Sequence, residues 1–525
     1  MDAFERHVRS GLELAGVEVD EIDLAVMRAA DAIYGPALRA LGDADLVHVW
    51  EETALDPSRP PEGSTLPEPL ARPSQERAPL QGGADAHPQD LGLREQAALV
   101  ASGDLDPAEL LAATLERIAE RDGPINSVVD TFPDESERML AEAPRGPLHG
   151  VPVGVKDQFA LPWRAPMDGT AREALPAGDS GVHRRLREAG AVIACVTNMH
   201  FWGGGSTGHL SAHGPCGNPW NPEHCGGGSS GGSAAAVGAR LVAGAAGADG
   251  GGSIRLPAAY CGITGIKPTF GSVPTDGNVH GYLSMDCAGP MCRDAADTRL
   301  LGEVLTGMPL PAGDGAGLRA GLVRSPFWED LDPEVEAACR DAIAAAGWET
   351  TEIEIDHAAH AQAATVLRLT LEGMPSLEPE DIADADPVMR ALVKFELLLP
   401  AHLLVRADRV RSALRRSVAE AFGRVDVLVW PTVPAPAPRL DNPTVELPSG
   451  IVPADSANVR QAGFGNLTGI PGVSVPVGLH SGGLPIGLMI QAPWGADARV
   501  LDAAEHLEDA TGREFVDRAA TLAAA

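Results

Sequence analysis

The segment GGGSSGGSAAAVGARLVAGAAGADGGGSIRLPAAYCGITGIKPT, residues 226–269, carries most of the information in this chain. It has one glycine-rich turn before Ser229 and Ser230, and a second before Ser253. A flexible Gly/Ser linker would not continue into AAAVGARLVAGAAG, which is apolar enough to form a buried helix. Glycine-rich backbone that leads into a buried helix is typical of a chain held close to a reacting group.

Ser253 ends a run of three glycines, Gly250, Gly251 and Gly252. Successive backbone N–H groups in such a run are free to converge on one point, which is what an oxyanion hole requires. A serine hydroxyl also needs a base before it can attack a carbonyl. The sequence therefore has to supply a proton acceptor elsewhere.

Lysine is rare in this chain, and its rarity indicates a candidate base. Lys156, Lys267 and Lys394 are the three lysines among 40 basic residues, and all the others are arginine. Arginine stays protonated in proteins, whereas a buried lysine can lose its proton. Lys156 follows the apolar segment GVPVGV, so burial is expected to lower its pKa and leave a neutral amine.

Residues 226–269 resemble the signature of the amidase signature family of serine hydrolases. The 24 residues between Ser229 and Ser253 match the spacing of the family's two catalytic serines, and LHGVPVGVKD (148–157) resembles its lysine segment. The resemblance extends from about residue 91 to the C-terminus and includes NLTGIPGVSVPVG and GLPIGLMIQAP. In the place where the family usually has Thr-Asp-Thr or Thr-Asp-Ile, this chain has Ala248-Asp249-Gly250.

The resemblance implies a role for each site residue. Ser253 would be the nucleophile, Ser229 would relay a proton from a cis peptide after Gly228, and Lys156 would accept that proton. The N–H groups of Gly250, Gly251, Gly252 and Ser253 would bind the oxyanion, and Ser230 would support Lys156 through a hydrogen bond. The mechanism implies no cofactor.

The fold is expected to be α/β, as in the amidase signature family: a large mixed sheet with helices on both faces and a helical N-terminal extension. Buried strands are predicted at 150–155, 191–196, 425–430, 472–478 and 486–491, and helices at 107–121 and 333–347. Residues 1–57 are predicted to be helical, with Asp20 as a cap and Pro36 as an interruption. Residues 58–90 are a proline-rich linker, and residues 91–525 form the catalytic domain.

The N-terminal extension is faintly similar to the small C subunit of the bacterial tRNA-dependent amidotransferase, and a helix pair for dimerisation is the alternative. Trp163, Met167, Phe201 and Trp202 flank the catalytic motifs and suggest an apolar or aromatic substrate pocket. His209, His213, Cys216, His224 and Cys225 are residue types that bind zinc, but their spacing fits no standard site, so we expect no metal.

Composition bounds the partners. The formal net charge is −33, which repels nucleic acid and anionic membranes, and the seven cysteines are scattered without a CxxC pair. The N-terminus lacks the apolar run of a secretory signal. We therefore expect a cytoplasmic homodimer with a small-molecule substrate, no nucleic acid and no membrane.

The predicted function is hydrolysis of a small apolar or aromatic amide, or of a carbamate, hydrazide or ester, through an acyl-enzyme. The alternative is a glutaminase-type subunit that passes ammonia within a tRNA-dependent amidotransferase. Two further possibilities are an α/β-hydrolase with its nucleophile elbow at Ser206 or Ser230 and an inactive scaffold. The presence of all three reactive side chains argues against a scaffold.

Overall fold

The computed structural model describes residues 2–14, 17–44, 46, 60–61, 87–279, 284–373, 382 and 385–512. Within these ranges, no helix combines the length and the apolar character that crossing a membrane requires. The α-helices are α1 Ala3–Leu14, α2 Glu21–Asp43, α3 Leu93–Ser102, α4 Pro107–Arg121, α5 Pro133–Glu142, α6 Gly181–Glu188, α7 Gly231–Gly238, α8 Arg255–Cys261, α9 Ala295–Thr306, α10 Arg324–Phe327, α11 Pro333–Ala345, α12 Ala361–Gly373, α13 Pro387–Glu396, α14 His402–Phe422, α15 Ala454–Thr468 and α16 Asp497–Thr511.

The strands are β1 Val128–Thr131, β2 Pro152–Lys156, β3 Val192–Thr197, β4 Gly217–Asn218, β5 Asn221–Cys225, β6 Gly244–Asp249, β7 Thr264–Lys267, β8 Cys287–Cys292, β9 Arg319–Val323, β10 Glu349–Ile353, β11 Val427–Pro431, β12 Thr444–Leu447, β13 Gly450–Pro453, β14 Gly472–Leu479 and β15 Pro485–Gln491. Eleven of them form one sheet in the order β1-β3-β2-β6-β8-β7-β14-β15-β11-β9-β10.

The sheet is mixed, as predicted. β2 runs parallel to both β3 and β6, whereas β8 runs antiparallel to β6 and to β7. Helices cover the sheet, with α8 and α16 packed against β14 and α9 against β8. The strands β2 and β6 are buried along their whole length. Their near-continuous apolar sequences follow from burial on both faces.

The segment AAAVGARLVAGAAG is not one helix, and the prediction of a single buried helix is wrong. Helix α7 ends at Gly238, and Arg240 has a φ of +59°, which turns the chain out of the helix. The second half of the segment becomes β6, which pairs with β2 through Gly154 and Ala245. Pairing inside a buried sheet outweighs the intrinsic helix preference of alanine.

Helix α2 runs without a break through Pro36, so the predicted interruption at this residue is also wrong. Asp20 does cap the helix, since its carboxylate accepts a hydrogen bond from the Asp23 N–H at 2.7 Å. Beyond Pro36, Leu38 and Leu41 pack into a large apolar cluster. Their burial holds the last turns of the helix despite the proline.

The N-terminal extension packs on the catalytic domain through α2, which contacts α13, α12 and α14. Arg390 Nε and Lys394 Nζ of α13 lie 3.0 and 2.7 Å from the carboxylate of Asp23, which is fully buried. The predicted linker, residues 58–90, lies outside the described residues except at 60–61 and 87–90.

Candidate active site

Two parallel neighbouring strands bring the candidate residues to one edge of the sheet. β2 ends at Lys156, and β6 ends at Asp249, immediately before the loop that carries Ser253. Because β2 and β6 are parallel, their carboxyl ends lie at the same edge. This is the position where α/β proteins generally build their sites.

Lys156 is buried, with a side chain about 1% exposed, and its Nζ donates a hydrogen bond to Ser229 Oγ at 2.8 Å. Burial lowers the pKa of Lys156 to about 8, although the carboxylates of Asp286 and Asp168 act in the opposite direction. An amine with a pKa near neutrality can both accept and return a proton. The geometry thus suits the exchange of a proton with Ser229.

The Gly228–Ser229 peptide bond is cis, as the resemblance implied. The Ser229 carbonyl accepts a hydrogen bond from the His200 N–H at 3.1 Å. Together with these two features, the contact with Lys156 Nζ defines the position of Ser229 Oγ.

Ser253 shares a small cavity with Lys156 and Ser229, and Ala248 and Gly250 line the same space. Its volume is about 10 Å³, which is of the order of one water-sized probe. Ser253 Oγ makes no hydrogen bond within the described part of the chain. The three reactive side chains predicted from the sequence are therefore adjacent around one small space.

The loop of residues 250–253 differs from the prediction at one position. The Gly252 N–H donates to Asp249 Oδ1 at 2.7 Å, so this donor is occupied, and the prediction that it faces an oxyanion is wrong. Gly252 has a φ of +121°, a conformation that favours glycine. The N–H groups of Gly250, Gly251 and Ser253 donate to no other acceptor in the described ranges and remain free for an oxyanion.

The Asp249 carboxylate organises this loop. Besides Gly252 it accepts hydrogen bonds from the Ile254 N–H at 3.1 Å, from Arg255 Nε at 2.9 Å and from Asn466 Nδ2 at 2.8 Å. Burial alone would raise the pKa of Asp249, but the charge and hydrogen bonds of Arg255 lower it below its ordinary value. The carboxylate thus stays ionised and fixes the turn that presents Ser253.

Replacing Arg255 by alanine is expected to destabilise the protein by about 3–5 kcal/mol, because it leaves the buried Asp249 carboxylate without its cation. Both side chains are fully buried. Chemical denaturation measures the effect, with Arg138→Ala as the matched control. Arg138 is 65% exposed and pairs with Glu135 on the surface, so its loss should cost less than about 1 kcal/mol. Equal losses in the two variants would contradict a structural role for the Asp249–Arg255 pair.

Ser230 does not bond to Lys156, and the prediction that it supports the lysine is wrong. Its Oγ donates to the Ala248 carbonyl at 3.0 Å and accepts from the Ala248 N–H at 3.2 Å, and its own N–H donates to the Ser253 carbonyl at 3.1 Å. Ser230 thus ties the two glycine-rich turns together instead. Its hydroxyl is engaged by backbone groups and not by a base, so the structure offers no nucleophile elbow at this serine.

A larger cavity of about 400 Å³ opens from Ser253. Trp202 lines it, whereas Trp163, Met167 and Phe201 do not. The Trp163 ring packs edge-on against Phe132 and His183, and Phe201 belongs to an apolar cluster around Met389. The cavity walls come mainly from residues that the sequence did not single out: Tyr34, Leu38, Asp168, Leu369, Met389, Leu392, Val393 and Glu396.

Asp168 is the clearest site residue that the sequence reasoning missed. Its side chain is 6% exposed and lines both cavities, and burial raises its pKa well above the ordinary value. It lies in the loop that follows β2, and only its short distance in sequence from Lys156 hinted at a role. Its proximity to the reactive residues arises from the path of that loop.

The histidines and cysteines between residues 209 and 225 have separate partners. His224 Nδ1 contacts the Ala437 carbonyl at 2.8 Å, and His213 Nε2 lies 3.6 Å from Asp157 Oδ2. Cys216 and Cys225 are buried. In the part of the chain that the structure describes, no three His, Cys, Asp or Glu side chains are grouped to hold a metal ion.

Comparison with known proteins matches residues 109–501 to the family model described as Amidase. The A subunit of the glutamyl-tRNA(Gln) amidotransferase of Chromohalobacter salexigens is 35% identical over 477 residues, which cover 80% of this chain and 97% of that protein. Among solved structures, an amidase is 30% identical with a TM-score of 0.74 and covers 80% of this chain and 100% of its own.

A second solved structure comes from a vestigial protein complex that bears on the evolutionary origins of an s-triazine catabolic enzyme. It is 27% identical, with a TM-score of 0.74, and covers 80% of this chain and 98% of its own. The corresponding amidotransferase chain of Salinispora arenicola is 34% identical over 491 residues, with 80% of this chain and 97% of that protein covered.

These relatives contradict the expected partners. The sequence led us to expect a small-molecule substrate, no nucleic acid and a homodimer. The curated relatives are instead named as one subunit of a larger enzyme, and for a tRNA. The expectation failed because it rested on net charge, which describes the surface of the whole chain and not the surfaces that a partner protein would cover.

Proposed function

The chain belongs to the amidase family, and from this membership we propose that it is the amide-hydrolysing subunit of a glutamyl-tRNA(Gln) amidotransferase, releasing ammonia from glutamine. The observation that carries the chemistry is the 2.8 Å hydrogen bond between Lys156 Nζ and Ser229 Oγ, beside Ser253 in one cavity. The relatives support the assembly, since the match covers 97% of the length of the Chromohalobacter protein.

In this proposal Ser253 Oγ attacks the amide carbon. Its proton passes to Ser229 Oγ while the Ser229 proton passes to Lys156 Nζ, and the carbonyl oxygen becomes an oxyanion. The free N–H groups of Gly250, Gly251 and Ser253 stabilise that charge. The tetrahedral intermediate then expels ammonia, which takes a proton back from Lys156 through Ser229.

Water completes the cycle by the same route in reverse. It attacks the Ser253 ester and gives its proton through Ser229 to Lys156, and the acid leaves as Ser253 regains its proton. The buried lysine suits both directions, because a pKa of about 8 lies near the pH at which the enzyme would work.

The charge of the chain fits a division of labour between subunits. A net charge of −33 does not favour contact with the phosphates of tRNA. We infer that a partner protein holds the tRNA and that this chain supplies ammonia. We further propose the arrangement predicted from the sequence, in which residues 1–57 form a helical extension, 58–90 link it, and 91–525 form the catalytic domain.

A second candidate is favoured by one observation: the walls of the 400 Å³ cavity are largely apolar. Leu38, Leu369 and Met389 would favour an acyl group less polar than that of glutamine. The second candidate is therefore hydrolysis of such an amide, carbamate, hydrazide or ester by the same residues.

One experiment separates the two functions. The purified full-length chain is incubated with glutamine, hexanamide or benzamide, and ammonia release is measured against the Ser253→Ala variant as background. In a second arm, the chain is added to an amidotransferase from which the amidase-family component has been omitted, and glutaminyl-tRNA formation from glutamine is measured. Formation of glutaminyl-tRNA supports the amidotransferase proposal. Turnover of the apolar amides, with no release from glutamine in either arm, would overturn it in favour of the second candidate.

A further inference from the structure

The N-terminal extension forms part of the wall of the cavity that opens from Ser253. Tyr34 and Leu38 of α2 line this cavity together with Met389 and Glu396 of α13. Neither helix contributes to the small cavity that holds Lys156 and Ser229, so their residues lie toward the end away from the reactive groups. The matched family region begins at residue 109, so α2 adds a wall from outside that region.

Helix α2 is fixed in this position by polar contacts. Arg406 of α14 donates to the Leu41 carbonyl at 2.9 Å and to the Ala44 carbonyl at 2.6 Å. At the other end of the helix, the buried Asp23 carboxylate pairs with Arg390 and Lys394. Anchors at both ends keep Tyr34 at a defined place in the wall.

Two polar groups in this part of the wall have no partner. Neither Tyr34 Oη nor the Glu396 carboxyl group makes a hydrogen bond or an ion pair with any residue that the structure describes. The nearby cations of α13 are already used, since Arg390 and Lys394 bind Asp20, Asp23 and the Glu18 carbonyl. Burial raises the pKa of Glu396 to about 8, as expected for a carboxyl group that lacks a cation.

Unpaired polar groups in an apolar cavity are costly unless a ligand satisfies them. An incoming amine would do so, because it donates hydrogen bonds and can take the proton of the Glu396 carboxyl group to form an ammonium–carboxylate pair. The surrounding Leu38 and Met389 would contact the methylene groups that connect the amine to the reacting carbonyl.

We propose that helix α2 completes the substrate cavity, and that Tyr34 and Glu396 form a distal subsite that binds an amine carried on the acyl group of the substrate. The inference rests on the proposed function only in taking Ser253 as the reactive serine. It holds for glutamine, whose acyl group carries an amine, and equally for a longer aminoacyl group.

The test uses probes that react with an activated serine whatever its natural substrate. Fluorophosphonates with ω-aminoalkyl chains of two, four or six carbons are compared with n-alkyl probes of the same lengths, and with a methyl probe. The second-order rate of Ser253 labelling is measured by peptide mass spectrometry. In the wild type, at least one aminoalkyl probe is expected to label about 10- to 100-fold faster than its alkyl counterpart, as for a charge-assisted hydrogen bond.

Three variants connect this preference to the subsite. Glu396→Gln should remove most of the preference for the amine, and Tyr34→Phe should reduce it several-fold while keeping the ring. Ile22→Ala is the matched control, because Ile22 lies on the same helix with 54% of its side chain exposed, and this variant should behave as the wild type. The methyl probe should label all four proteins at similar rates, which shows that the reactive residues are intact.

Equal labelling by amino and alkyl probes at every length would overturn the subsite, as would a preference unchanged in Glu396→Gln and Tyr34→Phe. These outcomes leave the proposed function standing. Failure of the methyl probe to label wild-type Ser253 is a different result, because it overturns the assignment of the reactive serine and the subsite with it.

Discussion

The Ser253→Ala variant is expected to lose amide turnover by a factor of about 10⁴ or more, because no acyl-enzyme can form without the hydroxyl. The fold should survive, since Ser253 Oγ makes no hydrogen bond in the described ranges and the loop is held by Asp249 and Arg255. Ammonia release measures the activity, and circular dichroism with thermal unfolding checks the fold.

A fluorophosphonate should label wild-type Ser253, and peptide mapping identifies the modified residue. Ser206→Ala serves as the control, because Ser206 also lines the larger cavity but its Oγ bonds to Asp455 Oδ1 at 2.7 Å. This variant should still be labelled at Ser253. Label found on Ser206 or Ser230 would show that the nucleophile has been assigned to the wrong serine.

The Lys156→Arg variant is expected to lose activity by a factor of about 10²–10⁴, nearly as much as Lys156→Ala. Arginine retains the positive charge and much of the length, so a role in charge alone would be partly preserved. A group that accepts a proton from Ser229 must spend time unprotonated, and arginine does not. Lys394→Arg is the matched control, because Lys394 pairs with Asp23 on α13, and its activity should stay near the wild-type level.

The pH dependence of the wild type tests the same role. Since burial lowers the pKa of Lys156 to about 8, the neutral amine predominates above that pH and falls about tenfold per unit below it. We therefore expect kcat/KM to rise with pH up to about 8 and then to level off. A Lys156→Arg enzyme that keeps most of its activity, with an unchanged pH profile, would show that proton exchange is not what Lys156 supplies.

Much of the catalytic domain was predictable from local sequence. The apolar runs that became β2, β3, β14 and β15 are strands because their β-branched residues suit a sheet buried on both faces. Helix α4 was predicted with its observed bounds, since Asp106 caps it and Pro107 occupies its first turn. Where local preference and tertiary packing disagreed, packing prevailed, as at Pro36 in α2 and at the helix-to-strand change before β6.

Reading the chain residue by residue was enough to identify the family, the mixed α/β fold and the candidate reactive residues Lys156, Ser229 and Ser253, because a long motif with fixed spacing encodes them within a few segments. Which groups surround those residues became known only from the folded molecule. The Gly252 N–H binds Asp249, and Tyr34 and Glu396 share a cavity with Ser253, through contacts that depend on the path of each loop or join segments far apart in the chain. Such contacts follow from how helices and loops pack on the sheet, which neither periodicity nor spacing records.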